Sequence, residues 1–498
     1  MFCKSILAFL SILCVANSSK ILFMSLFRTH WHLFFDLGHL LEEKQHEIYF
    51  LSYQNDSAFQ KQNFSVYVVR PDLNLSLDSR EFNEYVYQDL NLENANTMTT
   101  LNALADWCSI FLNDSTLFNQ VQTQQFDIFI TDLFVNDICS IAWAKKLAIP
   151  IIGIWPLSLS LPISYHLDVP TMNAIEYSSS TFFQRVGRIV QDYSLMKKWN
   201  ANYYQPVLSV INKYYKESTN INALHEELVL IMTNENPILE LDKPALSNIV
   251  SLGGFHCKSP NPIPKHVDDV SKRFRSGIIF VSLDFELSKM HKEVLMKTFF
   301  TLSSYAIIWQ QREKMDENIP NILTLTNINQ QDILGNPRTR LFVSSCDSHE
   351  TTSAIFHSVP ILCITKNPQN TIGVQVVDRK IGLQIPIDHL TRNSFIQNMN
   401  KLLTDKSYYQ SVRQLSLIFR DQPEIPSDRF IFWIERIIRL KSAPLQVPKI
   451  RMYSSLYHYI LDVIILIVIF SMVVIGVVIL ISFIVAKLLR SKSKGKVE

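Results

Sequence analysis

At 498 residues the chain is too long for one ordinary core, and its length points to two or three domains. Apolar residues make up 47% and charged residues 18%, an average over a globular body and two strongly apolar ends. A formal net charge of +2, most of it supplied by a basic C-terminal tail, argues against nucleic acid or any partner chosen for strong charge.

Lys4 is followed by an apolar run over residues 5–15 and then by the small and polar Ala16, Asn17, Ser18 and Ser19. About a dozen apolar residues cannot cross a bilayer, which needs roughly 20, so residues 1–18 read as a secretory signal peptide cut near Ser18. Residues 21–25 then read as a strand, 33–44 have helical apolar spacing, and 47–52 are strand-like again. Glycosylation triplets begin at Asn55, Asn63, Asn74 and Asn113, in the polar N-terminal third. A strand over 126–131, a helix over 138–147 and a buried strand over 149–154 repeat the alternation, and 177–227 read as helices capping this first domain.

The Pro- and Lys-rich residues 257–272 read as a linker, after which the alternation restarts at 277–282. Further strands are expected at 305–309, 323–326, 340–344 and 360–364, with helical stretches between them. Strands alternating with helices give an α/β fold of two doubly wound parallel domains, with their cleft as the default ligand site. Once Cys3 and Cys14 leave with the signal, Cys108, Cys139, Cys257, Cys346 and Cys363 remain, too scattered to suggest a disulfide framework. Neither a C-x-x-C pair nor a Cys/His pair at zinc spacing occurs, so no metal site is expected.

Residues 463–486 carry no charge and would span about 36 Å as a helix, which reads as one transmembrane segment. Lys487, Arg490, Lys492, Lys494 and Lys496 follow it, and the positive-inside rule puts this tail in the cytosol and the body in the lumen. Lys494 and Lys496, fifth and third from the end, resemble a dilysine retrieval signal; a plain basic flank accounts for the charge but not the spacing.

Several stretches, in order, resemble the UDP-glucuronosyltransferase (UDP-glycosyltransferase) family. Residues 251–258 with 262–265 look like its last N-domain strand and interdomain linker, and 330–337 like the turn that begins its signature. Residues 432–435 and 439–444 look like its C-terminal helix and juxtamembrane segment, while Thr29, His30 and Trp31, with His46 and Glu47 sixteen residues on, match its first helix. The resemblance implies a GT-B fold: a signal peptide at 1–18, a Rossmann-like acceptor domain at 19–256, a linker at 257–272 and a UDP-sugar domain at 273–446. A juxtamembrane segment at 447–462, a transmembrane helix at 463–486 and a cytosolic tail at 487–498 complete it. It also implies a single-pass type I protein of the endoplasmic reticulum membrane that transfers sugar with inversion to hydroxyls of small lipophilic acceptors. The UDP-sugar is a co-substrate and no bound cofactor is needed; homo- or hetero-oligomers with related transferases are the implied protein partners. Taken alone, His30 reads as a helix-entry histidine without chemistry; matched to the family, it becomes the base that takes the acceptor proton. Asp132, at the end of a strand, becomes the carboxylate that orients it, and is a candidate helix N-cap as well. His32 and His39 read as packing or solvent residues.

The donor positions depart from the family pattern. Asn327 stands where a tryptophan stacks on uracil, ahead of the retained Gln330, and Asp284 and Phe285 replace a small-residue turn. After Ser344, the family's histidine is Ser345, no glycine follows, and Asp347 and Glu350 bring negative charge to the helix start that should hold two phosphates. Ser348 and His349 retain hydrogen-bond donors. The ribose-gripping glutamate falls at Ser353 and the sugar-binding Asp-Gln pair at Gln369 and Asn370, which costs charge assistance. Two functions stay open on this pattern: an inverting UDP-glycosyltransferase with a degenerate donor site, or a pseudoenzyme that binds a hydrophobic ligand or pairs with active relatives. A receptor ectodomain fits the topology but leaves His30 with Asp132 unexplained.

Overall fold

The computed structural model describes residues 18–26, 30–52, 59, 62, 64–69, 95–134, 137–156, 181–235, 238, 248–283, 285, 287–311, 319–326, 328–366, 371–440 and 455–494. The chain divides into two compact units, one made of Met1–Leu159, Ala201–Asp242 and Ser247–Gln446, the other of Ser160–Asn200, Lys243–Leu246 and Val447–Glu498.

The first unit contains two parallel sheets. One runs in the order β3-β2-β1-β4-β5-β6-β7, with β1 at Lys20–Met24, β2 at Glu47–Ser52, β3 at Ser65–Val68, β4 at Ile128–Asp132, β5 at Ile151–Trp155, β6 at Leu228–Thr233 and β7 at Ile249–Ser251. The other runs β10-β9-β8-β11-β12-β13, with β8 at Ile278–Ser282, β9 at Ala306–Gln310, β10 at Ile322–Leu325, β11 at Thr339–Ser344, β12 at Ile361–Thr365 and β13 at Gly382–Pro386. Strand order reverses between β1 and β4 in the first sheet and between β8 and β11 in the second. Chain crossovers diverge at such points and leave a crevice beyond the strand ends.

These strands are nearly unbroken apolar runs because helices cover both faces of each sheet. In the second sheet Ile278, Phe280, Ile308, Phe342 and Ile361 pack into one core, while their neighbours Ile279, Val281, Ile307, Leu341 and Leu362 pack into another. Successive side chains point to opposite faces, so one strand feeds two cores. Each fully buried aliphatic side chain contributes about 1.5–3 kcal/mol. Helix Pro426–Leu440 returns toward the first sheet, where Arg429 Nη1 donates to the Ser251 carbonyl at 2.9 Å. Gly254, with φ 86°, lies against Phe419; a Cβ there would stand 2.3 Å from the ring. Only glycine fits both conditions.

Four of the five cysteines pair, against the expectation that they form no framework. Cys108 bonds Cys139 and Cys346 bonds Cys363, leaving Cys257 as a half-buried thiol that burial pushes up to about 12. The partners are 31 and 17 residues apart, and only the packing of two helices in the first pair, and of the loop after β11 against β12 in the second, brings them together. Buried Asp137 forms a second unexpected knot: its carboxylate accepts from His225 Nε2 at 2.6 Å, Tyr203 Oη at 3.1 Å and Tyr204 Oη at 3.4 Å. Asp137 opens helix Asp137–Lys145, whose N-terminal dipole favours its charge.

Helix Lys265–Arg273 forms where the composition suggested linker, and β3, β6 and β13 were not distinguished in the sequence. The second unit contains helix Ser455–Lys494, in which Ile467–Lys487 has mean hydropathy 3.2 and none of it is buried. It is long and apolar enough to cross a membrane.

Candidate active site

His30 enters the helix Trp31–Glu42 that follows β1, and Asp132 is the last residue of the adjacent β4, so the strand reversal itself brings them together. His30 Nδ1 lies 2.7 Å from Asp132 Oδ2. A carboxylate can only accept, so Nδ1 carries the proton and Nε2 is the nitrogen placed to take one. Asp132 Oδ2 also accepts from Ser25 Oγ at 2.8 Å, and Oδ1 from the Phe134 amide at 2.9 Å. Phe134 packs edge-on against the imidazole, with centroids 5.0 Å apart, and limits its rotation. Trp31 Nε1 donates to the Ser25 carbonyl at 3.1 Å and fixes the end of β1. A buried histidine, a buried carboxylate and a serine thus form a short chain suited to proton abstraction. Ser25 had no signal in the sequence: it is one serine after an apolar run, and only the register of β1 against β4 gives it a partner.

At the second sheet's reversal, β11 ends at Ser344 and helix Ser348–Phe356 begins four residues later. Ser344 Oγ and Ser345 Oγ donate to Glu350 Oε2 at 2.5 and 3.1 Å, and the Cys346 amide donates to Ser344 Oγ at 2.8 Å. Asp347 caps the helix, accepting the Glu350 amide at 2.6 Å. Ser353 accepts from Gln331 Nε2 at 2.7 Å and donates to the His349 carbonyl at 3.0 Å, while His256 Nε2 lies 3.2 Å from both. His357 Nε2 donates to Gln331 Oε1 at 2.7 Å, closing a network of neutral groups around the position matched to the ribose-gripping glutamate. Gln331, next to the retained Gln330, therefore serves this network, whereas Gln330 Nε2 has no hydrogen-bond partner among the described residues. Phe285 lies under the Lys366 ammonium at 5.2 Å.

The imidazoles of His256 and His349 stack at 3.7 Å. His349 is solvent-accessible, yet the protein around it, together with the nearby His32, lowers its pKa to about 4 against a smaller upward pull from Asp36. Burial holds His256 far below the ordinary histidine range. Asp36 is solvent-exposed, yet the protein around it raises its carboxyl, opposed by Lys258, His349, His32 and His39. Asp36 and His32, one turn apart on the uncovered face of helix Trp31–Glu42, thus lie within electrostatic reach of His349 on the second sheet. His32 is exposed to solvent, within the packing-or-solvent reading; His39 bonds Glu42 and Gln62.

The structure gathers Ser344, Ser345, Ser348, His349 and Ser353 at one helix start, and His30 with Asp132 at the other sheet's reversal. Asn327, Gln369, Asn370, Asn55, Asn63, Asn74, Asp284 and Lys496 lie outside the described residues. Asn113 is exposed at a helix end, its amide donating to the Ser109 carbonyl, and Lys494 ends the long apolar helix.

Two parallel α/β sheets, each with a strand-order reversal, give the GT-B fold, and solved structures agree. A glycotransferase of kitacinnamycin superimposes with TM-score 0.60 at 16% identity, covering 84% of this chain and 98% of that one. UDP-glucose: anthocyanidin 3-O-glucosyltransferase, solved with UDP, does so with TM-score 0.55 at 14% identity, covering 86% and 100%. In sequence the chain is 25% identical to UDP-glucuronosyltransferase 3A1 of Bos taurus over 385 residues, 74% of this chain and 72% of that protein. It is 23% identical to UDP-glucuronosyltransferase 1A1 of Homo sapiens over 475 residues, 90% and 88%. The profile described as UDP-glucoronosyl and UDP-glucosyl transferase matches residues 20–495, and the chain belongs to that family. Family and fold together indicate a UDP-glycosyltransferase.

Proposed function

We propose that this protein transfers a sugar from a UDP-sugar to a hydroxyl of a small lipophilic acceptor with inversion, His30 removing the acceptor proton and Asp132 holding the imidazole. The observation that carries the reading is the 2.7 Å contact between His30 Nδ1 and Asp132 Oδ2, with Ser25 on the same carboxylate oxygen. An alcohol is a poor nucleophile while it keeps its proton, and a positioned base contributes about 10²- to 10⁴-fold. Asp132 stabilises the imidazolium formed as the anomeric C–O bond to UDP breaks and the bond to the acceptor oxygen forms. UDP leaves with the electron pair of the broken bond. The first sheet's domain, residues 19–256, holds the acceptor in this reading, and residues 273–446 hold the donor through Gln330, Ser344, Ser345, Ser348, His349 and Ser353. The body is luminal and glycosylated, anchored in the endoplasmic reticulum by the apolar C-terminal helix, with Lys494 and Lys496 as retrieval signal. The apolar span Ile467–Lys487 and its basic flank support that topology.

The test is transfer by the full-length protein in membranes, with a panel of UDP-sugars and hydrophobic alcohols, compared with His30→Ala. His30-dependent product supports the reading; robust transfer indifferent to His30→Ala sinks the base assignment. A second reading, a pseudoenzyme that binds a hydrophobic ligand or pairs with active relatives, is favoured by the carboxylates of Asp347 and Glu350 at the helix start. It predicts no transfer and no thermal stabilisation by millimolar UDP.

A further inference from the structure

If the protein is a transferase, as proposed above, the donor diphosphate accepts hydrogen bonds from the amides at the start of helix Ser348–Phe356. The first-turn amides of a helix have no partner within it, and the dipole favours an anion there. In this chain an anion is already in place. Asp347 Oδ1 accepts the Glu350 amide at 2.6 Å, and the same carboxylate accepts the His349 amide. A second carboxylate, Glu350, lies buried beside the first and is held by the hydroxyls of Ser344 and Ser345 at 2.5 and 3.1 Å. The loop that presents Asp347 is fixed on its N-terminal side. Cys346 has φ 59°, a left-handed conformation that glycine adopts readily and other residues rarely, and its disulfide to Cys363 ties it to β12. Its amide donates to Ser344 Oγ at 2.8 Å.

The geometry points to Asp347 as a built-in competitor of the donor: its carboxylate fills the amide cradle that a nucleotide diphosphate requires, and so sets how weakly this chain holds UDP and UDP-sugars. A tethered competitor acts at a high effective concentration, and a charge-assisted bond to an amide is stronger than a neutral one. Occupation of the amides differs from simple repulsion between carboxylates and phosphates, and the two can be separated. Asp347→Ala clears the amides. Asp347→Asn still accepts from them, without charge. Glu350→Gln removes a charge from the same place and leaves the amides as they are.

The experiment is UDP binding to the full-length protein in detergent, by calorimetry or thermal shift, for the parent and the three variants. The expected result is about tenfold or tighter binding by Asp347→Ala, an intermediate gain for Asp347→Asn and no gain for Glu350→Gln. Equal gains for Glu350→Gln and Asp347→Ala overturn the inference in favour of repulsion alone, and no gain in Asp347→Ala, including no binding by any variant, overturns it outright. Should Asp347→Ala fail to fold for want of its cap, Asp347→Asn against Glu350→Gln decides: tighter binding by the first supports the inference and equality overturns it. Transfer is read separately. Gained UDP binding without His30-dependent product leaves the inference standing while the transferase reading fails, and product with unchanged binding does the reverse.

Discussion

The ends of the two sheets solve the same topological problem and use buried polar groups in opposite ways. Beyond β1 and β4, Ser25 and the Phe134 amide fix a carboxylate that fixes a histidine, which is the base in the function proposed above. Beyond β8 and β11, Asp347 bonds the helix amides, Glu350 bonds two serines, and Ser353 bonds Gln331 and the His349 carbonyl. The first region is organised for an incoming group and the second largely satisfies itself. A ligand for the second must replace existing bonds, and only the surplus appears as affinity. Two sites on one scaffold can therefore differ in readiness although both have complete topology.

The largest expected effect tests the first half of this comparison. His30→Ala should lower turnover about 10²- to 10⁴-fold, and Asp132→Ala should act on the same step, so that the double variant is little worse than His30→Ala alone. Initial rates for the four proteins measure it. Additive losses would mean that the two residues do not form one unit, and the contrast with the donor end would lose its basis.

Next in size is the covalent tie at the donor end. Cys346→Ala with Cys363→Ala opens a 17-residue loop that encloses helix Ser348–Phe356, for which chain entropy predicts a loss of about 3 kcal/mol. Denaturant unfolding of the full chain in detergent should show it. A loss well under about 1 kcal/mol would mean that packing alone holds this loop.

The alternation of strands and helices was legible because both faces of each sheet are buried, which turns strands such as 149–154 into continuous apolar runs. β3, with a half-buried pattern, and β13, which contains Gly382 and Pro386, lack that run and escaped notice. His30 and Asp132 were legible through family context; their contact depends on strand order, which no local pattern encodes. The acidic substitutions at Asp347 and Glu350 were visible, but their meaning was not. From sequence they repel phosphates, whereas in the structure one of them bonds the amides that phosphates would use. Ser25, Asp36 and the Cys346–Cys363 bond became identifiable only in three dimensions, since each partner is remote in the chain.

A smaller effect should appear with pH, again at the donor end. Burial lowers His357 to about 4 and buried His256 well below the ordinary value of 6.5, while the solvent-accessible His349 adds little. Between about pH 6.5 and 4 the unfolded chain binds more protons than the folded one, so these histidines contribute stability that is full above this window and lost as pH falls through it. His357, partly buried, accounts for about 1–2 kcal/mol of that loss. Asp36 and Asp347, whose carboxyls are raised, act in the opposite direction near the acid end. Melting temperature should drop from pH 7.5 to 5, and His357→Gln should flatten the slope; a pH-independent melt would show these rings to be fully solvated.

The smallest effect concerns Ser25, which touches no reacting atom and acts through Asp132. Ser25→Ala removes the 2.8 Å bond to Asp132 Oδ2 but leaves that oxygen its contact with His30 and leaves Oδ1 the Phe134 amide, so the dyad should persist. One lost hydrogen bond of about 0.5–1.5 kcal/mol, felt partly at the transition state, predicts a turnover reduced about three- to tenfold with KM for the acceptor little changed. A structural role would produce the same loss through misfolding, so the melting temperature and the split between turnover and KM are read together. Ser25→Thr, which restores a hydroxyl, should return the rate toward the parent. A loss in Ser25→Ala that falls on KM, or no recovery in Ser25→Thr despite a parent-like melting temperature, would assign Ser25 to packing and leave His30 and Asp132 as a dyad.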